Sequence, residues 1–187
     1  MRKLIYAINL TLDGCFGHTD GAPPDDSDDD LHDYYTRLVG DAGLLVYGRK
    51  TYELMVPYWP DVANNPAESK ADIAFGQTFV SKHKVVFSRS LERAEANTRI
   101  VRTNLRDEVL KLKQQPGQDI LLGGVDVASQ LIALGLVDEY RFVVQPIIAG
   151  QGRRLLEGVS LQEKPKLKLI ESKIFKSGSV ALHYLKK

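Results

Sequence analysis

The sequence predicts an α/β fold, with a mainly parallel central sheet, helices on its faces and antiparallel edge strands near its C-terminal end. Strand-like and helix-like segments alternate from Leu4 to Leu134, which is typical of parallel sheets. The first strand-like segment, Leu4 to Leu10, is almost continuously apolar, as expected when helices cover both faces of a strand. After Asp138 three strand-like segments follow one another, which favours antiparallel pairing at the edge.

The elements follow in order along the chain. A loop rich in glycine and aspartate comes after the first strand, and Ser27 is a good N-cap for a helix whose first turn holds Asp28, Asp29 and Asp30. The other predicted segments are strand 43–47, helix 50–55, a long loop over 57–68, helix 71–80, strands 84–87 and 98–102, a helix from 104 to about 115, strand 119–122, helix 125–134, and strands 139–149, 166–173 and 179–185.

Composition limits the function classes. A chain of 187 residues with 43% hydrophobic and 26% charged residues predicts a single globular domain over 1–187. The net charge of +1 gives no reason to expect nucleic acid or an anionic membrane as partner. One cysteine, Cys15, and no apolar run of about 20 residues favour a cytoplasmic protein. The four histidines are scattered, so we expect no metal site.

Two junctions run from a strand through glycine into a helix. The first is Gly48, Arg49, Lys50 and Thr51, where backbone N–H groups, a hydroxyl and two cations can bind a phosphate. The second begins at Gly123 and Gly124, whose missing side chains let a ligand approach the backbone. Two such sites favour an extended, doubly anionic ligand such as a dinucleotide. The alternatives are a helix start with solvent-facing cations and a tight turn.

Several motifs occur in the order of a known family. They are Leu12 to Gly14, Tyr47 to Glu53, Val86 to Ser90, Gly123-Gly124, Leu136 to Tyr140 and Pro146 to Gly152. With these motifs the chain resembles, over its whole length, the dihydrofolate-reductase-like family, in the branch containing the C-terminal reductase domain of bacterial riboflavin biosynthesis. It looks like a stand-alone member, without the zinc deaminase domain of the bifunctional enzyme.

The resemblance implies an NADPH-dependent reductase that transfers a hydride to a C=N or C=O bond of a pterin-like or ribosylamino-pyrimidine substrate. It assigns the Gly48 to Thr51 junction to the cofactor's phosphates. It assigns Gly123, Gly124, Val125 and Asp126 to the pyrophosphate and the nicotinamide ribose. It also implies that Ala7, Ile8 and the loop containing Gly14 lie against the nicotinamide. Ordinary core packing is the alternative for Ala7 and Ile8, and both can hold together.

The adenosine end of the cofactor is assigned by the resemblance to Ser88, Arg89 and Ser90. A guanidinium between two hydroxyls suits the 2′-phosphate that distinguishes NADPH from NADH. A polar loop after a strand is the alternative for this segment.

Candidate substrate residues are Asp13, Asp30, Trp59 and Glu139. Asp30 lies on the helix that carries the substrate-binding acid in dihydrofolate reductases, and it is the candidate catalytic acid. A solvated first turn is the alternative for the aspartate cluster. Trp59 has a ring that suits stacking on a heterocycle, and the alternatives are a loop anchor and an oligomer contact. Asp13 organises its turn or meets the substrate, and Glu139 meets a substrate hydroxyl or a structural partner.

Two other functions stay open at this point. One is a non-catalytic nucleotide- or drug-binding protein on the same fold, and the other is reduction of a different small carbonyl compound. Relatives in the riboflavin branch are often dimers, so the resemblance implies a homodimer, with the strand-rich tail after Tyr140 as its candidate interface.

Overall fold

The computed structural model describes residues 1–16, 29–95 and 97–187, apart from the side chain of Asp29. Ser27 and Asp28, the predicted cap and first acid of the first helix, lie outside these ranges, as does His18. The described part of the chain forms eight strands and six helices. They are β1 Leu4–Thr11, α1 Asp29–Gly40, β2 Leu44–Gly48, α2 Arg49–Met55, α3 Tyr58–Asn64, α4 Lys70–Ser81, β3 Lys84–Phe87, β4 Thr98–Val101, α5 Leu105–Gln114, β5 Ile120–Leu122, α6 Asp126–Ala133, β6 Glu139–Gln145, β7 Leu167–Ile174 and β8 Val180–Lys186.

All eight strands join one sheet in the order β4-β3-β2-β5-β1-β6-β8-β7. The six strands from β4 to β6 pair in parallel. Strand β8 then pairs antiparallel with β6 and with β7. This topology confirms the predicted fold class, including the antiparallel edge.

Alternating side chains of the strands build two apolar layers, one on each face of the sheet. On one face Tyr6 and Val46 pack with Val109 of α5 and Leu131 of α6. On the other face Leu45, Tyr47 and Val86 of the strands pack with Val39 of α1 and with Phe75 and Phe79 of α4. Each large apolar side chain removed from water stabilises the fold by about 1.5–3 kcal/mol. The sheet ends that carry the loops are therefore held on a rigid base.

The prediction of an unbroken loop over 57–68 was wrong, because α3 occupies Tyr58–Asn64. Pro60 falls in the first turn of this helix, where an N–H has no acceptor within the helix and its loss is tolerated. Trp59 places its ring 4.4 Å from that of Phe75 on α4. Strand β6 ends at Gln145 rather than Ala149, since the following Pro146 has no N–H for pairing.

The parallel strands direct their carboxyl ends to one edge of the sheet, which we call the carboxyl edge. Strand β5 lies between β2 and β1. The helix that follows β5 packs on one face, and the helices that follow β1 and β2 pack on the other. Connections that leave neighbouring strands over opposite faces open a crevice, which is where α/β sheets bind ligands.

Candidate functional site

The two glycine junctions meet in this crevice. A Cβ built on Gly123 would lie 2.7 Å from Cε1 of Tyr47, and one on Gly124 would overlap with the hydroxyl of Thr51. Gly124 also has a φ of +82°, which favours glycine. A Cβ on Gly48 would lie 3.0 Å from Cγ2 of Val127. Contacts within the chain thus require these glycines, and the same contacts hold the starts of α2 and α6 side by side.

Basic side chains surround the start of α6. Arg153 donates to Asp126 at 2.9 Å, and Nζ of Lys50 lies 4.0 Å from the other oxygen of that carboxylate. Arg49 is paired with Glu53 one turn along α2, at 2.9 Å. Among the described residues no side chain caps the start of α6, so its first N–H groups face the crevice without a side-chain acceptor from these residues. This arrangement suits an anionic group.

Asp13 connects the loop after β1 to the loop after β6. Its carboxylate accepts hydrogen bonds from the Thr11 hydroxyl at 2.6 Å and from the backbone N–H groups of Ala149 and Gly150, both at 3.0 Å. The hydrogen bond from Thr11 is the largest cause of a pKa for Asp13 well below the ordinary range. Asp13 is therefore ionised at neutral pH, and its oxygens are engaged in holding the two loops together.

Arg153, which the sequence analysis missed, extends this connection to α6. Its carbonyl accepts from the N–H of Phe16 at 3.1 Å, and its guanidinium lies 5.3 Å from the centre of the Phe16 ring. Beside it, Cys15 and Arg154 form an isolated antiparallel bridge. Arg153 thus links three segments: the loop after β1, the loop after β6 and the first turn of α6. The only sequence signal was its position next to the glycine-rich segment 150–152.

Residues 2–181 match the family model described as the RibD C-terminal domain. The chain belongs to the RibD C-terminal domain family. This membership confirms the resemblance inferred from the motifs, and it supports a reductase-like role of the riboflavin-biosynthesis type.

Individual relatives agree with the family. The uncharacterized protein YyaP of Bacillus subtilis (strain 168) is 31% identical over 98% of this chain and 94% of its own length. A protein of Shewanella sp. PV-4 with a provisional riboflavin-biosynthesis name has a similar structure, with a TM-score of 0.72, 18% identity and 99% coverage of both chains. The diaminohydroxyphosphoribosylaminopyrimidine deaminase/5-amino-6-(5-phosphoribosylamino)uracil reductase of Thermotoga maritima gives a TM-score of 0.68 at 16% identity. That match covers all of this chain and 57% of the Thermotoga protein.

In this RibD-type domain the predicted nicotinamide contacts lie on two faces of the sheet. Ala7 packs with the layer that includes α1 and α4, and Ile8 packs with the layer of α5 and α6. Successive side chains of a strand point to opposite faces, so a ligand on one face meets only one of these two side chains. Gly14 has a φ of +79° and open space where a Cβ would be.

The Ser88 to Ser90 segment forms a turn at the carboxyl end of β3. The hydroxyl of Ser88 accepts from the N–H of Ser90 at 3.2 Å and from the N–H of Leu91 at 2.9 Å. Arg89 is exposed and has no hydrogen bond or ion pair with any residue in the described ranges. Ser88 therefore fixes the turn, and Arg89 has a cationic side chain free for a ligand.

The other predicted substrate residues of the RibD-type domain are engaged in contacts within the chain. Asp30 pairs with Lys173 at 2.9 Å, on the side of α1 that faces β7 and β8. The Trp59 ring packs on α4, and its indole nitrogen is buried without a partner in the described part of the chain. Glu139 begins β6 and so lies at the amino edge of the parallel sheet, opposite the carboxyl edge.

Glu139 makes structural contacts there. Its carboxylate accepts from Lys3 at 2.5 Å and from His183 at 2.9 Å, and 6% of its side chain is exposed. Burial alone would raise the pKa of Glu139, but the hydrogen bonds and charges of Lys3 and His183 outweigh burial and lower it. Glu139 is thus held as a carboxylate that joins β1, β6 and β8.

Two further observations concern metals and membranes. Within residues 1–16, 29–95 and 97–187, no three His, Cys, Asp or Glu side chains lie close enough together to hold a metal ion. Across the same ranges, every helix is too short or too polar to cross a lipid bilayer.

Proposed function

We propose that this protein is an NADPH-dependent reductase that transfers a hydride to a C=N or C=O bond of a heterocycle of the ribosylamino-pyrimidine or pterin-like type. The observation that carries the proposal is the crevice at the end of β5. There the two glycine junctions pack together, and Lys50 and Arg153 lie on either side of Asp126. A dinucleotide has two linked phosphates, and a helix start flanked by cations suits them.

The residues of the crevice fit such a cofactor. Backbone N–H groups at the start of α6, together with Lys50 and Arg153, would hold the pyrophosphate, while Arg89 at the end of β3 would hold the 2′-phosphate. When bound, NADPH supplies the hydride from its nicotinamide ring. Residues 12–14 after β1, fixed by Asp13, would cover the reacting atoms and exclude water.

The ionisation state of Asp13 bears on the source of the proton that the reaction needs. The depressed pKa of Asp13 keeps it ionised, and its oxygens already accept three hydrogen bonds, so it is a poor proton donor. We therefore assign the proton to solvent water and the rate enhancement mainly to orientation of donor and acceptor. Orientation alone can lower a barrier by about 7–11 kcal/mol.

The substrate class is supported by family membership and by the Thermotoga maritima protein, a reductase of a ribosylamino-pyrimidine. The cations Lys50, Arg89 and Arg153 also suit a phosphorylated substrate, because Asp126 offsets only one of these three charges. The observation that favours the alternative, a non-catalytic nucleotide-binding protein, is that Asp30 and Glu139 are engaged in ion pairs away from the crevice.

The test is a calorimetric titration with NADPH and separately with NADH. We expect NADPH to bind about tenfold more tightly, or about 1.4 kcal/mol, and Arg89→Gln to remove most of this preference. Arg106→Gln, an exposed arginine on α5, is the matched control and should keep it. Binding of neither nucleotide would contradict the proposal, and binding without oxidation by any pyrimidine or pterin acceptor would favour the non-catalytic alternative.

A further inference from the structure

A second cavity, of about 320 Å³, lies between α1 and the antiparallel edge of the sheet. Helix α1 contributes Asp30, Asp33, Tyr34 and Arg37 to its wall. These positions are three, four and seven apart, so they form one stripe along the helix. The opposite side of α1 faces α4, where His32 pairs with Asp72. The polar stripe therefore faces the cavity rather than the core.

The floor of the cavity is a row of charged residues on three neighbouring strands. Arg141 of β6 is the register partner of His183 on β8, and His183 is the register partner of Glu171 on β7. Partners across a sheet lie on the same face, and each strand spacing is about 4.8 Å. The row thus spans roughly 10 Å and carries a guanidinium at one end and a carboxylate at the other.

Most charges around the cavity are paired, and Glu171 at one end of the row is the exception. Lys173 pairs with Asp30 at 2.9 Å, and Nε2 of His183 lies 2.9 Å from Glu139. Glu171 forms no ion pair with any residue in the described ranges.

Arg141, at the other end of the row, is only partly satisfied. Its guanidinium lies 3.8 Å from Glu139, which is beyond hydrogen-bond length, and Nε is buried without a partner in the described part of the chain. A guanidinium has five N–H donors, and here it interacts with the Tyr34 hydroxyl. Because 23% of the Arg141 side chain is exposed, the exposed N–H groups of the guanidinium, rather than the buried Nε, can donate to an acceptor in the cavity.

We propose that this cavity binds a small zwitterion, with a carboxylate on Arg141 and an ammonium group on Glu171. A guanidinium can hold a carboxylate through two parallel hydrogen bonds. The ammonium group takes the position next to Glu171, because the carboxylate of Asp30 is already paired with Lys173 and that of Asp33 with Arg37. The site contains no residue of the crevice at the carboxyl edge, so it goes beyond the proposed reductase function and does not depend on it.

The probe is 5-aminopentanoate, with pentanoate and pentylamine as analogues that each lack one of the two charged groups. Each is titrated into the full-length protein at pH 7, with binding followed by calorimetry and by backbone amide NMR shifts. We expect 5-aminopentanoate to bind more tightly than either analogue and to shift the amides of β6, β7 and β8. Arg141→Gln should weaken this binding by roughly tenfold, and Glu171→Gln should reduce it to the level of pentanoate.

Two controls keep the test decisive. Glu171 is exposed, so Glu171→Gln is expected to fold even if Arg141→Gln does not, and Glu163→Gln in an exposed loop should leave binding unchanged. Absence of binding would overturn the proposal, as would equal binding of the three compounds or binding that both site variants leave intact. NADPH titrations of the same variants should match the wild type, so a failure of this proposal is separate from a failure of the reductase function.

Discussion

A substitution of Glu139 tests whether this residue stabilises the fold or binds the substrate. Its buried carboxylate accepts from Lys3 and His183 at the amino edge of the sheet. We expect Glu139→Gln to lower the free energy of unfolding by about 2 kcal/mol, because a hydrogen bond between charged groups is lost in a largely buried position. NADPH affinity should not change, since the crevice lies at the other edge. Chemical denaturation and calorimetry measure the two effects.

The control for Glu139 is Glu163→Gln, which changes an exposed carboxylate of the same type. It should alter neither stability nor affinity. A Glu139→Gln protein with wild-type stability and weakened nucleotide or substrate binding would contradict the structural role.

The lowered pKa of Asp13 makes the stability of the folded protein depend on pH. Its folded-state pKa is lowered, so its stabilising contribution is present above the unfolded pKa of about 4 and is lost as the pH falls toward the folded value. We expect Asp13→Asn to have a lower Tm than the wild type at pH 7. The difference should become smaller below about pH 4, where the carboxylate is protonated in the unfolded chain, and it should vanish as the pH approaches the lower pKa of the folded state. Thermal melts at several pH values test this, and a difference that is constant with pH would contradict it.

Asp61→Asn is the control for Asp13, because Asp61 is an exposed acid in the first turn of α3. Removal of this charge should give a small change in Tm, without the larger pH-dependent difference expected for Asp13.

Residue roles were predictable from the sequence only where the neighbours in the chain decide them. The glycine junctions were found because both lie next to strands and helices with clear periodicity. The partners of Asp13 are 136 and 137 residues away, and Arg153 meets Asp126 across 27 residues. No local pattern encodes such pairs, so Arg153 was missed and the structural contacts of Asp13 were not visible.

At the scale of elements, the contact between Gly124 and Thr51 couples the two strand-to-helix junctions. Alanine at position 124 is unfavourable twice, because the backbone has a positive φ and because the new Cβ would overlap with the Thr51 hydroxyl. The backbone alone costs about 1–2 kcal/mol, and we expect Gly124→Ala to cost more than this. Thr51→Ala in the same protein should recover part of the loss by removing the hydroxyl. Denaturant melts of the four proteins in this cycle measure the coupling.

Gly158→Ala is the matched control, since Gly158 has a φ of +72° but open space where its Cβ would lie. Its loss of stability should reflect the backbone alone. Equal losses for Gly124→Ala and Gly158→Ala, with no recovery by Thr51→Ala, would show that the junctions are not packed as described.

The positions of the helices and strands were largely predictable, because the hydrophobic periodicity agrees with the capping and turn residues that bound each segment. Strand β3 has the predicted bounds, and α4 and α5 begin after Ser69 and Asn104, whose side chains accept from the third residue beyond them. Helix α3 was missed because proline and asparagine were interpreted as signals of a loop. Its existence depends on packing, since Trp59 lies against α4, and packing of this kind is not visible in a local window.

At the scale of the whole molecule, the alternation of strands and helices predicted a parallel sheet but not its strand order. The insertion of β5 between β2 and β1 depends on pairs such as Leu4 with Ile120 and Leu44 with Ile120. These pairings join distant parts of the chain and are selected by the two apolar layers together. The crevice exists only because of that order, so its location could not be predicted from the motifs alone.

The antiparallel edge leads to the last prediction, which concerns assembly. Strand β7 is the outer strand at the antiparallel end of the sheet. Three apolar side chains on it are well exposed: Leu169 at 49%, Ile170 at 45% and Ile174 at 77%. Apolar side chains on an edge strand favour association, and an isologous pair of identical edges closes into a dimer. We therefore propose a homodimer through β7, with twice the chain mass of 20.9 kDa in light scattering.

Ile174→Lys should convert this dimer to a monomer. Leu54→Lys, at an apolar side chain of α2 that is 70% exposed, should not. A monomeric wild type, or a dimer that survives Ile174→Lys, would place the interface elsewhere or remove it.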